Sequence, residues 1–411
     1  METIAAPGAG LSADELTAIQ AGVRSAEAAY LGDLERLVNI DCGSYTPAGV
    51  EEVATFVSGF LADLGAEVVT QPDPDGQLGP TIVGTVRGAA GAGPRILLIG
   101  HMDTVFDPGT VSERPFRIED GTAYGPGVTD MKSGLLTGLY GLRTIVELTR
   151  EGGLPFEQIV FVANPDEEIG SPSSSPLIRE LATTADACFV LECARANGDI
   201  VSARKGTIDL ILTVHGRAAH AGVEPEKGRS AILEAARLIR DLHALNGRWP
   251  GVTVNVGVIA GGTRPNVVAE KCVLQVDVRA TDAASQDEAE AAIRDLASAT
   301  EVPDTTVTVE RRAGHRPMEK LERSGRLVDH AVAVALRLGF EVRDTATGGA
   351  SDANTTSGLG VPTLDGLGPI GGNDHSPAEY LDVRSVVPRT ALFAGLLLAV
   401  GRDPAFREPR G

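Results

Sequence analysis

At 411 residues the chain is too long for one ordinary hydrophobic core, which points to two domains or to one large domain with an insertion. Its 43% hydrophobic and 22% charged residues fit a globular chain, and a net charge of −20, spread without long acidic blocks, disfavours nucleic acid and anionic membrane surfaces as partners. Its cysteines, Cys42, Cys188, Cys193 and Cys272, form no C-x-x-C pair and read as reduced core thiols rather than a disulfide framework.

The N-terminal stretch METIAAPGAGLSADELTAIQ has neither the basic nor the apolar segment of a leader, so the expected location is cytoplasmic. Residues 47–65 space apolar side chains helically and close on Gly65, which predicts an amphipathic helix. RILLIG (95–100) predicts a buried strand, and residues 131–149 a largely apolar helix. QIVFVANP (158–165) and ADACFVLE (185–192) are short unbroken apolar runs. In alternation with helices they imply central strands of a mostly parallel sheet. The pattern changes after residue 205. TIDLILTVHG (207–216) alternates as a half-exposed strand, followed by a helix over 229–245, strands over 252–260 and 271–280, a helix over 285–299 and a strand over 305–311. This β-α-β-β-α-β order is the ferredoxin-like unit, with helices on one face of its sheet. Residues 206–318 therefore read as an inserted domain, and 1–205 with 319–411 as the domain it interrupts. A helix over 323–338, a Gly-rich stretch over 348–374 and an apolar helix over about 385–401 complete the chain. The run Ala391 to Val400 is shorter than the ~20 residues a bilayer requires, so no membrane span is expected.

The chemistry-bearing residues sit where strands end. In LLIGHMDTV, His101 and Asp103 follow a strand two residues apart and point to one side if the extended geometry persists. NPDEEIGS ends its strand in Asp166, Glu167 and Glu168, and ADACFVLE ends in Glu192. GPGVTDMKSG puts Asp130 at the start of an apolar helix, and GPIGGNDHSPAEY puts His375 in a Gly-rich turn. Ligands of open α/β sheets bind beyond the carboxyl ends of strands. Carboxylates gathered there repel one another and lose hydration, and bound cations are the usual compensation. Imidazole and carboxylate donors without thiolate suit zinc, manganese or cobalt. Three carboxylates, Asp130, Glu168 and Glu192, together with one hydroxide would balance two divalent ions.

The ordered set GHMDTV, GPGVTDMKSG, NPDEEIGS, HAG and HSPAEY resembles the zinc-dependent glutamate carboxypeptidase and aminoacylase family, which includes acetylornithine deacetylase, succinyl-diaminopimelate desuccinylase and several dipeptidases. The resemblance spans nearly the whole chain and is nearest to glutamate carboxypeptidases. It implies an α/β fold, with a phosphorylase/hydrolase-like mixed-sheet catalytic domain and an inserted ferredoxin-like dimerisation domain. It further implies two zinc ions, with cobalt or manganese as alternatives. His101, Asp130 and Glu192 would hold one, and Asp130, Glu168 and His375 the other. Glu167 would be the general base, and Asp103 would fix the tautomer of His101 through its second nitrogen. A cis peptide after Asp130 is expected. In GRAAHAGVEPEKG, His220 would cross a homodimer interface to the substrate carbonyl oxygen of the partner's site, joined by Asn266. Arg279 in VDVRA and Arg316 in GHRPME, with Gly348 and Gly349 of TGGASDAN, would receive the substrate carboxylate; the alternative for Arg279 is a structural salt bridge. His215, His243, His315 and His330 match no family motif and read as surface or packing residues.

The substrate implied is a small N-acyl amino acid or dipeptide-like molecule, cleaved at the amide before a C-terminal glutamate-type residue. A deacylase of a biosynthetic N-acyl amino acid is the rival, and a non-catalytic family member the bland alternative. Cys193 departs from the proline that usually follows the ligand at the position of Glu192 in glutamate carboxypeptidases, and TGGASDAN departs from their more Gly- and Thr-rich version.

Overall fold

The computed structural model describes residue 8, residues 10–89 and residues 91–407. Part of the N-terminal stretch read as lacking a leader, residues 1–7 and 9, lies outside these described residues. The chain divides into two compact units. One takes the residues up to Ser202, Lys320–Ala346 and those from Ser351 on; the other takes Ala203–Glu319 and Thr347–Ala350. Gly348 and Gly349 thus cluster with the second unit, although their place in the sequence assigns them to the first.

The first unit is built on a six-stranded sheet. Its order is Glu67–Gln71, Thr81–Arg87, Gln158–Asn164, Arg95–His101, Ala187–Val190 and Thr363–Leu364. The last three pairings are parallel. The two at the Glu67–Gln71 edge are antiparallel, so the sheet is mixed. The parallel part carries the apolar runs, because strands covered on both faces leave no room for alternation. Ile96 to Ile99 and Ile159 to Ala163 are all buried. Helices Ser133–Leu148 and Val386–Gly401 pack on this core. Val383–Gly401 forms a helical span of 19 residues that is by length and composition long and apolar enough to cross a membrane, longer than the run at 391–400 taken alone. The run looks short in sequence because Arg384 and Arg389 interrupt it. The span is 83% buried, as a core helix would be. Arg389 is 2% exposed and donates to the carbonyls of Gly368, Gly198 and Gly366, so its charge is met inside.

The second unit has its own core. Its sheet order is Thr253–Gly261, Lys271–Ala280, Gly206–His215 and Thr306–His315, antiparallel throughout. In chain order this is 2-3-1-4, the arrangement of the ferredoxin-like motif. Ile208, Leu210, Leu212 and Val214 alternate into the core beneath helices Ala231–His243 and Ala283–Ser298. Each helix is started by a side-chain cap, Ser230 bonding the Leu233 amide and Asp282 the Ser285 amide.

Candidate metal centre

His101 is the last residue of the central strand Arg95–His101. Beside it, Gln158–Asn164 ends just before the turn that holds Glu167 and Glu168. On its other flank, Ala187–Val190 runs out two residues before Glu192. Three parallel strands therefore release their donors at one edge of the sheet. Asp130 arrives from the opposite direction, ahead of helix Ser133–Leu148 and across a cis peptide to Met131, as expected. Gly134 permits that approach: a Cβ there would lie 1.8 Å from the Leu191 carbonyl oxygen. His375 sits in a left-handed turn, φ 59°, a conformation that costs a non-glycine residue about 1–2 kcal/mol and aims the imidazole at Asp130.

The donors fall into two groups that share Asp130, namely His101, Asp130 and Glu192, and Asp130, Glu168 and His375. Within each group the candidate ligand atoms lie within 4.8 Å of one another. His101 Nε2 is 3.1 Å from Asp130 Oδ1 and 3.7 Å from Glu192 Oε1. His375 Nε2 is 3.1 Å from Asp130 Oδ2 and 3.0 Å from Glu168 Oε2. Asp130 thus turns one oxygen toward each group. Borderline nitrogen and carboxylate donors, convergent and mostly buried apart from the exposed His375, fit divalent zinc, cobalt or manganese.

Electrostatics shows what the donors need. Hydrogen bonds to Asp130 and Glu168 raise His375 to about 11 against the opposing effect of burial. Burial opposes protonation of His101, but hydrogen bonds to Asp103 and Asp130 and the charge of Glu192 outweigh it and push its pKa well up. Burial, aided by the charge of Asp130, raises Glu168 against the lowering effect of the His375 hydrogen bond and of the charges on His101 and His375. Without cations, the imidazoles are held as their protonated forms by the carboxylates. Burial comes first for Glu167 too, and the charges of Glu192, Asp352 and Glu168 add to it, so its affinity for a proton is well above that of an ordinary carboxyl group. The Glu167 carboxylate accepts no hydrogen bond among the described residues.

Asp103 is fully buried and does more than the resemblance implies. Its carboxylate accepts from the Ser44 hydroxyl at 2.6 Å and from the amides of Glu167 and Glu168, each at 3.2 Å. His101 Nδ1 lies 3.3 Å from this carboxylate and 3.0 Å from the Asp103 carbonyl oxygen. One residue therefore fixes both the imidazole and the turn carrying the two glutamates. Glu379, in the quoted HSPAEY motif but assigned no role from sequence, accepts from the amides of Gly127, Thr129 and Asp130 at 2.9, 2.9 and 3.1 Å. Burial nonetheless raises it to about 7. Asp352, near 6 because it is buried, bonds Asn164 and Ser171 behind the 167–168 turn. Being acidic residues in motif-bearing stretches was the only sequence signal for Glu379 and Asp352. Ser44 had none.

The remaining site candidates all lie in the second unit. The segments of His220 and Asn266 run side by side: His220 bridges Val267, and the Ala221 amide bonds the Asn266 carbonyl. Both residues are exposed. Arg279 bonds Asp277 and the Gly348 carbonyl. Gly349 accepts from Arg204. Arg316 bonds Asp287 at 2.5 Å and Gln286 at 3.3 Å. The salt-bridge alternative raised for Arg279 is thus realised, and Arg316 is paired as well. The four cysteines are free and buried, and the Cys193 thiol lies 3.9 Å from Asp374.

A mixed-sheet catalytic unit with a His and carboxylate centre, interrupted by a ferredoxin-like unit, defines the metal-dependent peptidases and amidohydrolases that act on small substrates. The chain belongs to peptidase family M20/M25/M40, whose family model matches residues 97–399. It is 31% identical to carboxypeptidase G2 of Pseudomonas sp. (strain RS-16) over 379 residues, 91% of this chain and 89% of that one. It is 28% identical to acetylornithine deacetylase of Salmonella typhi over 354 residues, 82% and 88% of the two chains. The solved aminopeptidase PepT of Bacillus cereus matches with a TM-score of 0.77 at 25% identity, over 92% of this chain and 99% of that one.

Proposed function

We propose that the chain is a dinuclear zinc carboxypeptidase of the glutamate type, which hydrolyses the amide between an N-acyl group and a C-terminal amino acid. One observation carries this reading: Asp130 is shared between two imidazole and carboxylate groups, and the unbonded carboxylate of Glu167 stands beside them. His101, Asp130 and Glu192 would hold one ion, and Asp130, Glu168 and His375 the other. Divalent ions held there supply Lewis acidity toward the amide carbonyl and favour deprotonation of water at neutral pH. Glu167 takes the proton from the attacking water and returns it to the leaving amine, a task suited to a carboxylate whose proton affinity burial has raised. Asp103 keeps His101 and the 167–168 turn in register. His220 and Asn266 of a partner subunit would polarise the carbonyl oxygen. Arg279 and Arg316, with the backbone at Gly348 and Gly349, would take the terminal carboxylate by sharing guanidinium donors with their present partners. The reading includes a cytoplasmic homodimer.

The similarity to carboxypeptidase G2 supports a carboxypeptidase, and the similarity to acetylornithine deacetylase keeps an N-acyl amino acid deacylase as the second reading. The test is hydrolysis by zinc-loaded protein of two substrate sets, one varying the C-terminal residue and the other the acyl group. Sharp preference for C-terminal glutamate or aspartate is the expected result, whereas a sharp acyl preference alone would favour the deacylase. Glu167→Ala is expected to keep its metal and lose turnover by about 10³-fold. Near-normal turnover in that variant would overturn the assignment.

A further inference from the structure

We propose that Arg114 forms an anion-binding subsite for the acyl end of the substrate, so that preferred substrates carry a carboxylate on the N-acyl group. The proposal rests on the chain being an N-acyl amino acid hydrolase and names its substrate class more closely.

Arg114 follows the short turn Thr110–Glu113 in the catalytic unit and is half-exposed. Its guanidinium lies over the Phe106 ring, 4.7 Å from the centroid, and Nη1 donates to the Ser376 carbonyl at 3.4 Å. Ser376 is the residue after His375. The guanidinium is therefore placed one residue from a member of the second donor group. Its plane is set on one side by an aromatic face and at one nitrogen by a main-chain oxygen. Of five N–H donors in a rigid fork, one is used among the described residues, and the others are free for a planar carboxylate.

No carboxylate among the described residues pairs with Arg114. Asp41 spends its oxygens on the amides of Gly109 and Val111. Glu113 is exposed. Arg195, three residues after Glu192, bonds the Cys193 carbonyl at 3.0 Å and acts by its charge on Asp374, while its Nε is buried without a hydrogen-bond partner among the described residues. Arg114 is thus an oriented, unpaired cation beside the donor cluster, in a chain of net charge −20. The C-terminal carboxylate of the substrate is assigned above to arginines of the second unit. Arg114 belongs to the first unit and is left for the other end. A half-amide of a dicarboxylic acid, or an acidic residue on the acyl side, matches it.

The test compares N-succinyl-glutamate with N-butanoyl-glutamate, and N-glutaryl-glutamate with N-pentanoyl-glutamate. Within each pair a carboxylate replaces a methyl at nearly constant shape. Zinc-loaded wild type is expected to favour the carboxylate member in kcat/KM by about tenfold or more. Arg114→Met should bring that ratio close to one at unchanged zinc content, and Arg114→Lys should restore part of it. A ratio that survives Arg114→Met overturns the proposal. So does an equal rise in KM for both members, which would place Arg114 on the carboxylate they share. Calorimetric binding of the same compounds to zinc-loaded Glu167→Ala, with and without Arg114→Met, reads the ratio without turnover. Failure of all hydrolysis would thus count against the proposed function alone, whereas a binding ratio near one with Arg114 intact, or one that survives Arg114→Met, would count against Arg114.

Discussion

His375 and His101 compete for the same oxygens that a cation would take, and this competition has a measurable sign. In the metal-free chain His375 titrates near 11 and His101 well above its ordinary value, so both imidazoles carry a proton at pH 7. A metal ligand must be the neutral imidazole. Loading two zinc ions at pH 7 is therefore expected to release about two protons from these rings. Any deprotonation of Glu168 or of a captured water adds to that number. Raising the pH weakens the competition, so apparent affinity should climb from pH 6 to pH 8. Zinc titrations in buffers of different ionisation enthalpy give the count directly. A count near zero would mean that the imidazoles are already neutral or do not bind the ions. His101, Asp130 and the glutamates of NPDEEIGS could be read in the sequence because each stands at a strand end or helix start that apolar patterning marks. Ser44 could not, since a serine in a turn carries no periodic signal and its partner Asp103 lies 59 residues away.

Elements here are locked at their ends by buried charges, and the last turn of the first unit illustrates the cost of removing one. Asp403 caps the Pro404–Phe406 turn and bonds Arg326 at 2.5 and 2.9 Å and His330 at 2.7 Å on helix Glu322–Leu338. Burial would raise its pKa, but His330 and Arg326 more than reverse this and hold it well below the carboxylate range. The folded pKa is thus depressed. The stabilisation is present above the unfolded value of about 3.9 and is lost as pH falls below it. Asp403→Asn should destabilise the first unit by about 3 kcal/mol at pH 7, because the Arg326 guanidinium loses its anion, and His330 a carboxylate partner, in a site only 2% exposed. The gap in urea midpoints between wild type and variant should narrow at pH 3. A gap independent of pH would show that shape, not charge, sets the effect. This contact illustrates the limit of sequence reading. The helices and parallel strands follow from apolar spacing, whereas Glu67–Gln71 was missed because four of its five residues are exposed and its pattern is polar. The small sheet that joins Thr122–Tyr124 to Tyr380–Asp382 was missed because its strands are too short for any period to register.

At the scale of the molecule, a charge of −20 opposes association through most of the surface, so any self-association has to use a face where apolar gain exceeds repulsion. The second unit offers one. Among the described residues, strand Thr253–Gly261 pairs with Lys271–Ala280 on one side only, which leaves its other edge of N–H and C=O groups open. Val258 and Ile259 are 47% and 52% exposed on it. Ile232 and Leu233, at the start of the helix Ala231–His243, are 42% and 63% exposed. An open edge lined with apolar side chains is a liability that monomeric proteins avoid with charge, proline or a bulge near the edge. This strand does have a register shift between Val256 and Val258, but the apolar residues beyond it remain uncovered. Pairing of this edge with its copy would extend the sheet across a two-fold axis, an isologous contact that needs only one self-complementary patch. The wild-type chain is therefore expected to sediment as a dimer, and Ile259→Asp, which sets two like charges against each other across the axis, as a monomer. If His220 serves the partner's site as proposed, the monomer should keep its zinc and lose most of its turnover. A monomeric wild type would remove the homodimer from the proposal. A monomeric Ile259→Asp with full activity would keep the dimer but return His220 to the surface role of an ordinary strand-end histidine.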